Sequence, residues 1–202
     1  MAKNIGILAS ISWNSNSWQD QATPSDIAKS NFDYVKANGW MHEDLNFGHR
    51  KYPLEENGTY IAYTPQFNTL PSLEESKYVG IVFLKSFNYH KNKNFIVGCY
   101  AFPDIGRFVR SADEEKYNVY DFGNIRATPE NIILFSTPMP ITDEICSIKG
   151  YLPKGKKLGK MGYNYLEYSN VLKILDEATR LNRDKNLDSI KYKFLTDGRY
   201  KF

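Results

Sequence analysis

Hydrophobic and polar residues alternate through residues 4–12, directly after the start of the chain. A period of two is typical of a β-strand, whose successive side chains point to opposite faces, so the sequence predicts a first strand here. A polar loop with two tryptophans, residues 13–20, follows it. One predicted face of the strand carries Ile5, Ile7, Ala9 and Ile11, and the other carries Gly6, Leu8, Ser10 and Ser12.

The spacing changes to that of a helix over residues 23–39. Thr23 is a good N-cap, Pro24 suits the first helical position and Asp26 favours the positive end of the helix dipole. Apolar residues then recur at about helical spacing, and the pair Asn38-Gly39 is typical of a helix end. The apolar residues of this predicted helix are Ile27, Phe32 and Val35.

The middle of the chain is predicted to be rich in β-structure. We expect strands at 59–63, 77–86, 94–102 and 131–135, the second and third joined by a polar hairpin over 88–93. The mixed-charge stretch 103–130 is long for a connection, so it is interpreted as an insertion with short elements of its own or as a binding loop.

The C-terminal part is basic and then helical. A glycine-containing loop with four lysines occupies residues 152–160. A helix is predicted from Ser169 or Asn170, and a second over 187–195. The order of elements favours an α+β fold: one domain over 1–202, a small mixed β-barrel with peripheral helices, an insertion around 103–130 and a helical extension over 168–202. The apolar face of the first helix is Val171, Leu172, Leu175, Ala178 and Leu181.

Charge and composition add one clue, the aromatic content. The net charge of +3 permits a polyanionic partner without demanding one. Aromatic residues make up 15% of the chain, with 15 Tyr and 12 Phe, which is more than a core of this size needs. Excess aromatic residues indicate stacking surfaces or an interface, although β-rich folds also contain many of them.

Several function classes find no support in the sequence. The two cysteines, Cys99 and Cys146, and the three histidines lack the spacing of a metal site, so we expect no metal and no cofactor. There is no signal peptide and no apolar stretch of about 18 residues, which predicts a cytoplasmic protein with no membrane partner. No phosphate-binding loop or nucleophile elbow occurs, so we expect a binding domain and not an enzyme.

Aromatic residues in predicted loops are the strongest functional indication. They concentrate in segments 10–18 and 38–48 and in the strand 59–63. A tryptophan exposed at the end of a strand is costly unless something covers it, and a flat nucleobase can do so with about 1–3 kcal/mol of stacking per base. Serine and asparagine beside the tryptophans, Asn14 among them, supply donors and acceptors for a base edge. A structural role as a lid on the barrel is the alternative for each tryptophan.

The order of these features resembles the EVE domain of the PUA/YTH-like superfamily. The resemblance covers about residues 4–102 and consists of a strand, a short helix, Trp40, the pair Asn46-Phe47, and a strand entered through Gly58. Such domains occur as the N-terminal DNA-reading modules of McrB-type modification-dependent restriction proteins. The resemblance therefore implies binding of double-stranded DNA with a methylated base, flipped into an aromatic cage, by a module that works with other domains or subunits of a restriction complex.

The resemblance also implies roles for single residues. Trp40 would form one cage wall, Ser10 and Asn46 would read the base edge, and Phe47 would support the cage. Trp13, Trp18 and Tyr63 are further wall candidates. Any nuclease or nucleotide-driven motor would lie on other domains or partners.

Contacts to the nucleic-acid backbone are expected from basic residues near the cage. Two alternatives stay open: a PUA-like domain that binds RNA through the same pocket, and a barrel that binds a small molecule or a protein. The candidate phosphate contacts are His49, Arg50, Lys51, Lys91, Lys93, Lys154, Lys156, Lys157 and Lys160.

Overall fold

A computed structural model describes residues 4–68, 79–111, 120–159 and 162–200. These residues form an α+β fold with two β-sheets and several helices, as the sequence predicts. The described strands do not close into a barrel. They are β1 Gly6–Ile11, β2 Tyr60–Ala62, β3 Ile81–Asn88, β4 Lys93–Ala101, β5 Asp104–Val109, β6 Phe122–Ala127, β7 Ile132–Ile141 and β8 Asn164–Leu166.

The larger sheet has five strands in the order β7-β4-β3-β1-β8. Strands β1 and β3 are parallel, with Gly6 opposite Ile81 and Ser10 opposite Lys85, and the other neighbours are antiparallel. Because the carboxyl ends of parallel strands meet at one edge of a sheet, side chains near the ends of β1 and β3 lie next to each other.

Both faces of this sheet are buried, which explains why β1 contains almost no polar residue. Ile7 and Ala9 enter one hydrophobic core, whereas Leu8 enters the other, so the predicted alternation is confirmed from Ile7 onward. Ile5, predicted on the face of Ile7, lies in the core of Leu8. The Leu8 core includes the C-terminal helices, and the Ile7 core includes the smaller sheet. Strands covered on both faces are typical of sheets with parallel pairs.

The helices are α1 Pro24–Lys29, α2 Asp33–Asn38, α3 Asp143–Lys149, α4 Tyr168–Asn182 and α5 Lys185–Thr196. The helix predicted over 23–39 is two short helices, separated at Ser30–Phe32. Thr23 caps the first through a capping box, and Gly39 ends the second at φ 75°. The predicted apolar face of α4 packs onto the large sheet.

Residues 103–130, interpreted as an insertion with short elements of its own or as a binding loop, contribute strands to the smaller sheet. Its order is β2-β6-β5, so two of its three strands come from that segment. Tyr60 pairs with Ala127, and Ile105 pairs with Ile125, which ties the segment to β2. Residues 112–119 within it lie outside the described part of the chain. The other predicted strands are confirmed as β2, β3, β4 and β7, with ends that differ by a few residues. Strand β7 is longer than predicted and continues to Ile141. Residues 77–78 lie outside the described residues.

Candidate binding site

Two of the predicted cage residues, Trp18 and Phe47, are part of the hydrophobic core. Their side chains are 3% and 2% exposed. The Trp18 indole donates a hydrogen bond to the Ser12 carbonyl at 2.9 Å, and its ring meets Phe47 edge-on with centroids 6.3 Å apart. The Phe47 ring also packs against Tyr100. These rings therefore stabilise the fold and offer a ligand almost no surface.

The two predicted asparagines hold loops in place. The Asn46 amide donates to the Tyr63 carbonyl at 2.8 Å and accepts from the Tyr63 amide at 2.9 Å, which binds its loop to the end of β2. The Asn14 amide donates to the Asp44 carboxylate and to the Asp20 carbonyl. Since both asparagines are buried and their amides are bonded to protein groups, the structure gives them a structural role.

Trp40 and Tyr63 belong to a cluster of five rings that we call the aromatic surface, made of Trp40, His42, Tyr63, Tyr120 and Phe122. The rings come from the end of α2, a 3-10 helix over His42–Leu45, the end of β2 and the start of β6. His42 lies at the centre, with ring centroids 4.4 Å from Trp40, 4.7 Å from Tyr63 and 4.6 Å from Phe122. Trp40 also meets Tyr120 edge-on at 5.6 Å.

The outer rings of this cluster reach solvent. Phe122 is 39% exposed, Trp40 and His42 are half-buried, and Tyr63 and Tyr120 are buried beneath them. Exposed aromatic rings on a buried aromatic base are typical of surfaces that stack flat ligands. The sequence does not predict His42, Tyr120 and Phe122 as members, and the last two lie in the segment interpreted as an insertion.

Burial favours the uncharged form of the central histidine. Burial lowers the pKa of His42, opposed by the Asp121 carboxylate and assisted by the Arg110 guanidinium. Its Nδ1 is buried and has no hydrogen-bond partner among the described residues. An unpaired buried polar atom costs about 1–3 kcal/mol.

One buried carboxyl group, that of Asp44, fixes the base of the aromatic surface, and a second, that of Glu43, precedes it in the chain. Asp44 accepts hydrogen bonds from the Tyr120 hydroxyl at 3.0 Å and the Met41 amide at 3.2 Å. Glu43 accepts from the Ser12 amide at 3.0 Å and the Tyr34 hydroxyl at 3.4 Å. Burial raises the pKa of both carboxyls, that of Asp44 to about 6. The Tyr120 ring is thereby held under Trp40.

The remaining two predicted pocket residues lie elsewhere. Trp13 is half-buried, meets Trp18 edge-on at 5.5 Å and donates to the Ser15 hydroxyl at 3.3 Å. It lines a small cavity of about 60 Å³ that Asp26 and Phe32 also line. Ser10 lines a different and larger cavity at the end of β1. The eight predicted residues thus do not converge on one pocket.

The predicted phosphate contacts fall into separate groups. Lys91 and Lys93 are exposed on the β3–β4 hairpin, and Lys154, Lys156 and Lys157 line a depression of about 490 Å³ beside α3 and α4. Arg50 lines another depression with Asp184, and Lys51 pairs with Asp20 at 3.3 Å. Burial lowers the pKa of the half-buried His49. Lys160 lies outside the described residues.

Comparison of the chain with protein-family models, curated proteins and solved structures finds no match. Within residues 4–68, 79–111, 120–159 and 162–200, no helix has the length and apolar character to span a bilayer. The same residues contain no cluster of three or more His, Cys, Asp or Glu side chains that could hold a metal ion.

Proposed function

We propose that this chain is a nucleic-acid-binding domain that reads a modified base in double-stranded DNA, as the recognition module of a modification-dependent restriction assembly. The base would be flipped out of the duplex and stacked on the aromatic surface. The domain itself would carry no catalytic activity, and its strands would represent a PUA-like barrel in an open form.

The observation that carries the proposal is the aromatic surface itself. Trp40, His42 and Phe122 present ring area to solvent that no described residue covers, and Tyr120 is fixed beneath them by Asp44. Stacking a base on such rings contributes about 1–3 kcal/mol, which is comparable to the few kcal/mol that unstacking costs.

The test is fluorescence anisotropy with matched duplexes that are unmodified, adenine-methylated or cytosine-methylated, with single-stranded DNA and RNA of the same sequence alongside. We expect one modified duplex to bind several-fold more tightly than the rest. A preference for RNA would assign the chain to the PUA-like RNA binders instead. Absence of binding to all of these ligands would contradict both nucleic-acid functions. Binding that does not change with salt would contradict them as well, since phosphate contacts release counterions.

Trp40→Ala is expected to remove the preference for the modified duplex, because the base loses a stacking ring worth about 1–3 kcal/mol, or roughly five- to 150-fold in Kd. Phe122→Ala, at the exposed side of the same surface, should act in the same direction. Tyr192→Ala is the control, since Tyr192 is 67% exposed on α5. An unchanged preference in folded Trp40→Ala and Phe122→Ala variants would contradict the assignment of the site.

The basic loop should contribute affinity without selectivity. The double variant Lys156→Ala, Lys157→Ala is expected to weaken all duplexes alike and to lower the slope of log K against log salt by about two units, one for each phosphate contact. Both lysines are exposed and form no ion pair with a described residue. The matched variant Arg50→Ala, Lys51→Ala should change the slope less, because Lys51 is already paired with Asp20. Equal slopes in wild type and the first variant would exclude the loop from the interface.

A further inference from the structure

A cavity of about 460 Å³ lies where the parallel strands β1 and β3 end. Its volume is within the range of about 300–1,000 Å³ that small-molecule sites occupy. None of the residues of the aromatic surface lines it. The cavity is lined by Ser10, Ile11, Asn31, Phe32, Lys85, Phe87, Asn94, Leu158 and Gly159.

The side chain of Lys85 is the most unusual feature of this cavity. It is 3% exposed, and its ammonium group donates to the Ser10 hydroxyl and to the Gly159 carbonyl, the latter at 2.9 Å. An ammonium has three N–H donors, so these bonds leave one unused. Among the described residues, no carboxylate lies within ion-pair distance of Lys85.

A buried charge without a counter-charge is destabilising, and for an ammonium group this lowers the pKa. Burial lowers the pKa of Lys85 to about 8. Ile81 and Phe83 precede Lys85 on the inward face of β3, so this face is apolar. A leucine or methionine would fill the position of Lys85 without the cost of burying a charge. An anionic group placed in the cavity would supply the missing counter-charge.

The other walls fit the body of such a ligand. Phe32 and Phe87 are half-buried and supply flat apolar contacts, and Leu158 adds an aliphatic one. The amides of Asn31 and Asn94 are the additional polar groups of the lining. A mostly apolar cavity with a few polar groups at defined places is the usual composition of a small-molecule site.

We propose that this cavity binds a small organic anion, whose carboxylate or phosphate group contacts the Lys85 ammonium and whose flat apolar body lies against Phe32 and Phe87. This site is separate from the proposed base-binding surface. The anion and the nucleic acid would therefore bind to different sites of the same domain.

The test is isothermal titration of the protein with phenylacetate, phenyl phosphate and phenylacetamide, in the absence of nucleic acid. Phenylacetamide keeps the size and shape of phenylacetate but has no charge. We expect at least one of the two anions to bind with a Kd of about 1 mM or lower, and the amide to bind about tenfold more weakly or not at all. Which anion binds distinguishes a carboxylate ligand from a phosphate ligand.

Lys85→Met should abolish binding of the anion, whereas Lys185→Met, a change at an exposed lysine at the start of α5, should leave it unchanged. If Lys85→Met does not fold, Phe87→Ala replaces it and is expected to weaken binding about tenfold through the lost ring contact. Equal binding of the amide and the anions, anion binding that persists in folded Lys85→Met, or binding of none of the probes would each overturn the proposal. None of these results depends on whether the protein binds DNA.

Discussion

Gly98→Ala is expected to destabilise the protein by about 3 kcal/mol, near the upper end for overpacking in a core. Gly98 lies in β4, between Leu84 of β3 and Leu134 of β7. An added Cβ would lie 2.3 Å from the Ile133 carbonyl oxygen and 2.5 Å from the Phe47 ring. The carbonyl belongs to the backbone of the adjacent strand, so it cannot move away without disturbing the sheet.

Thermal unfolding of purified wild type and variant measures this effect. For a chain of this length, 3 kcal/mol corresponds to a lowering of Tm by about 10 °C. Gly198→Ala is the control, because a Cβ at Gly198 meets no atom within 4 Å, and its effect should stay within about 0.5 kcal/mol. Equal Tm values for the Gly98 and Gly198 variants would show that β4 and Phe47 are less tightly packed than the structure indicates.

The close contact between Gly98 and Phe47 also explains where sequence reasoning about the site went wrong. A loop aromatic such as Phe47 has the same composition signature whether it stacks a ligand or fills a core, and only the approach of β4 distinguishes the two. Trp18 is a similar case, since its ring packs against Phe47, which lies 29 positions later in the chain. Local sequence does not contain this information, because the covering strand is distant in the chain.

Other parts of the fold were predictable because they depend on local periodicity. Alternating residues predict the strand β1, and apolar residues at helical spacing predict the helix α4. Each segment has one clear hydrophobic period. The pairing of β2 with β6 was not predictable, because it joins residues more than sixty positions apart. The members of the aromatic surface on β6 were missed for the same reason.

The position of Lys85, in contrast, follows from local periodicity. Ile81, Phe83 and Lys85 share the period of two in one strand, which places the lysine on an inward face. A charged residue at a core position is rare unless it is paired or functional. The cavity around it, however, is formed by Phe32 and Leu158 from distant loops, and its shape could not be predicted from the strand alone.

Asp44→Asn is expected to destabilise the protein by about 2–3 kcal/mol near pH 4 and by less at pH 7, although the two side chains have nearly the same shape. Asp44 accepts from Asn14 on one oxygen and from Met41 and Tyr120 on the other. An asparagine has only one acceptor oxygen, so in either orientation its NH₂ group faces at least one N–H donor. Each buried donor left without a partner costs about 1–3 kcal/mol. Tyr120→Phe, which removes one donor and leaves no unpaired group, should cost only about 1 kcal/mol.

The same variant tests the protonation state of Asp44 through the pH dependence of stability. Burial raises the folded-state pKa of Asp44 to about 6, from an ordinary value of 3.8. A raised pKa of an acid contributes stability that is fully present below the unfolded pKa and is lost as pH rises through the folded pKa. Between pH 4 and pH 7, therefore, the denaturation midpoint of wild type should fall relative to that of Asp44→Asn, which has no titrating group there. Denaturation midpoints of wild type and Asp44→Asn that stay parallel across this range would contradict this expectation. They would mean that the three hydrogen-bond donors offset the cost of burial and keep the carboxylate ionised. A charged group, and not a neutral one, would then hold Tyr120 beneath the aromatic surface.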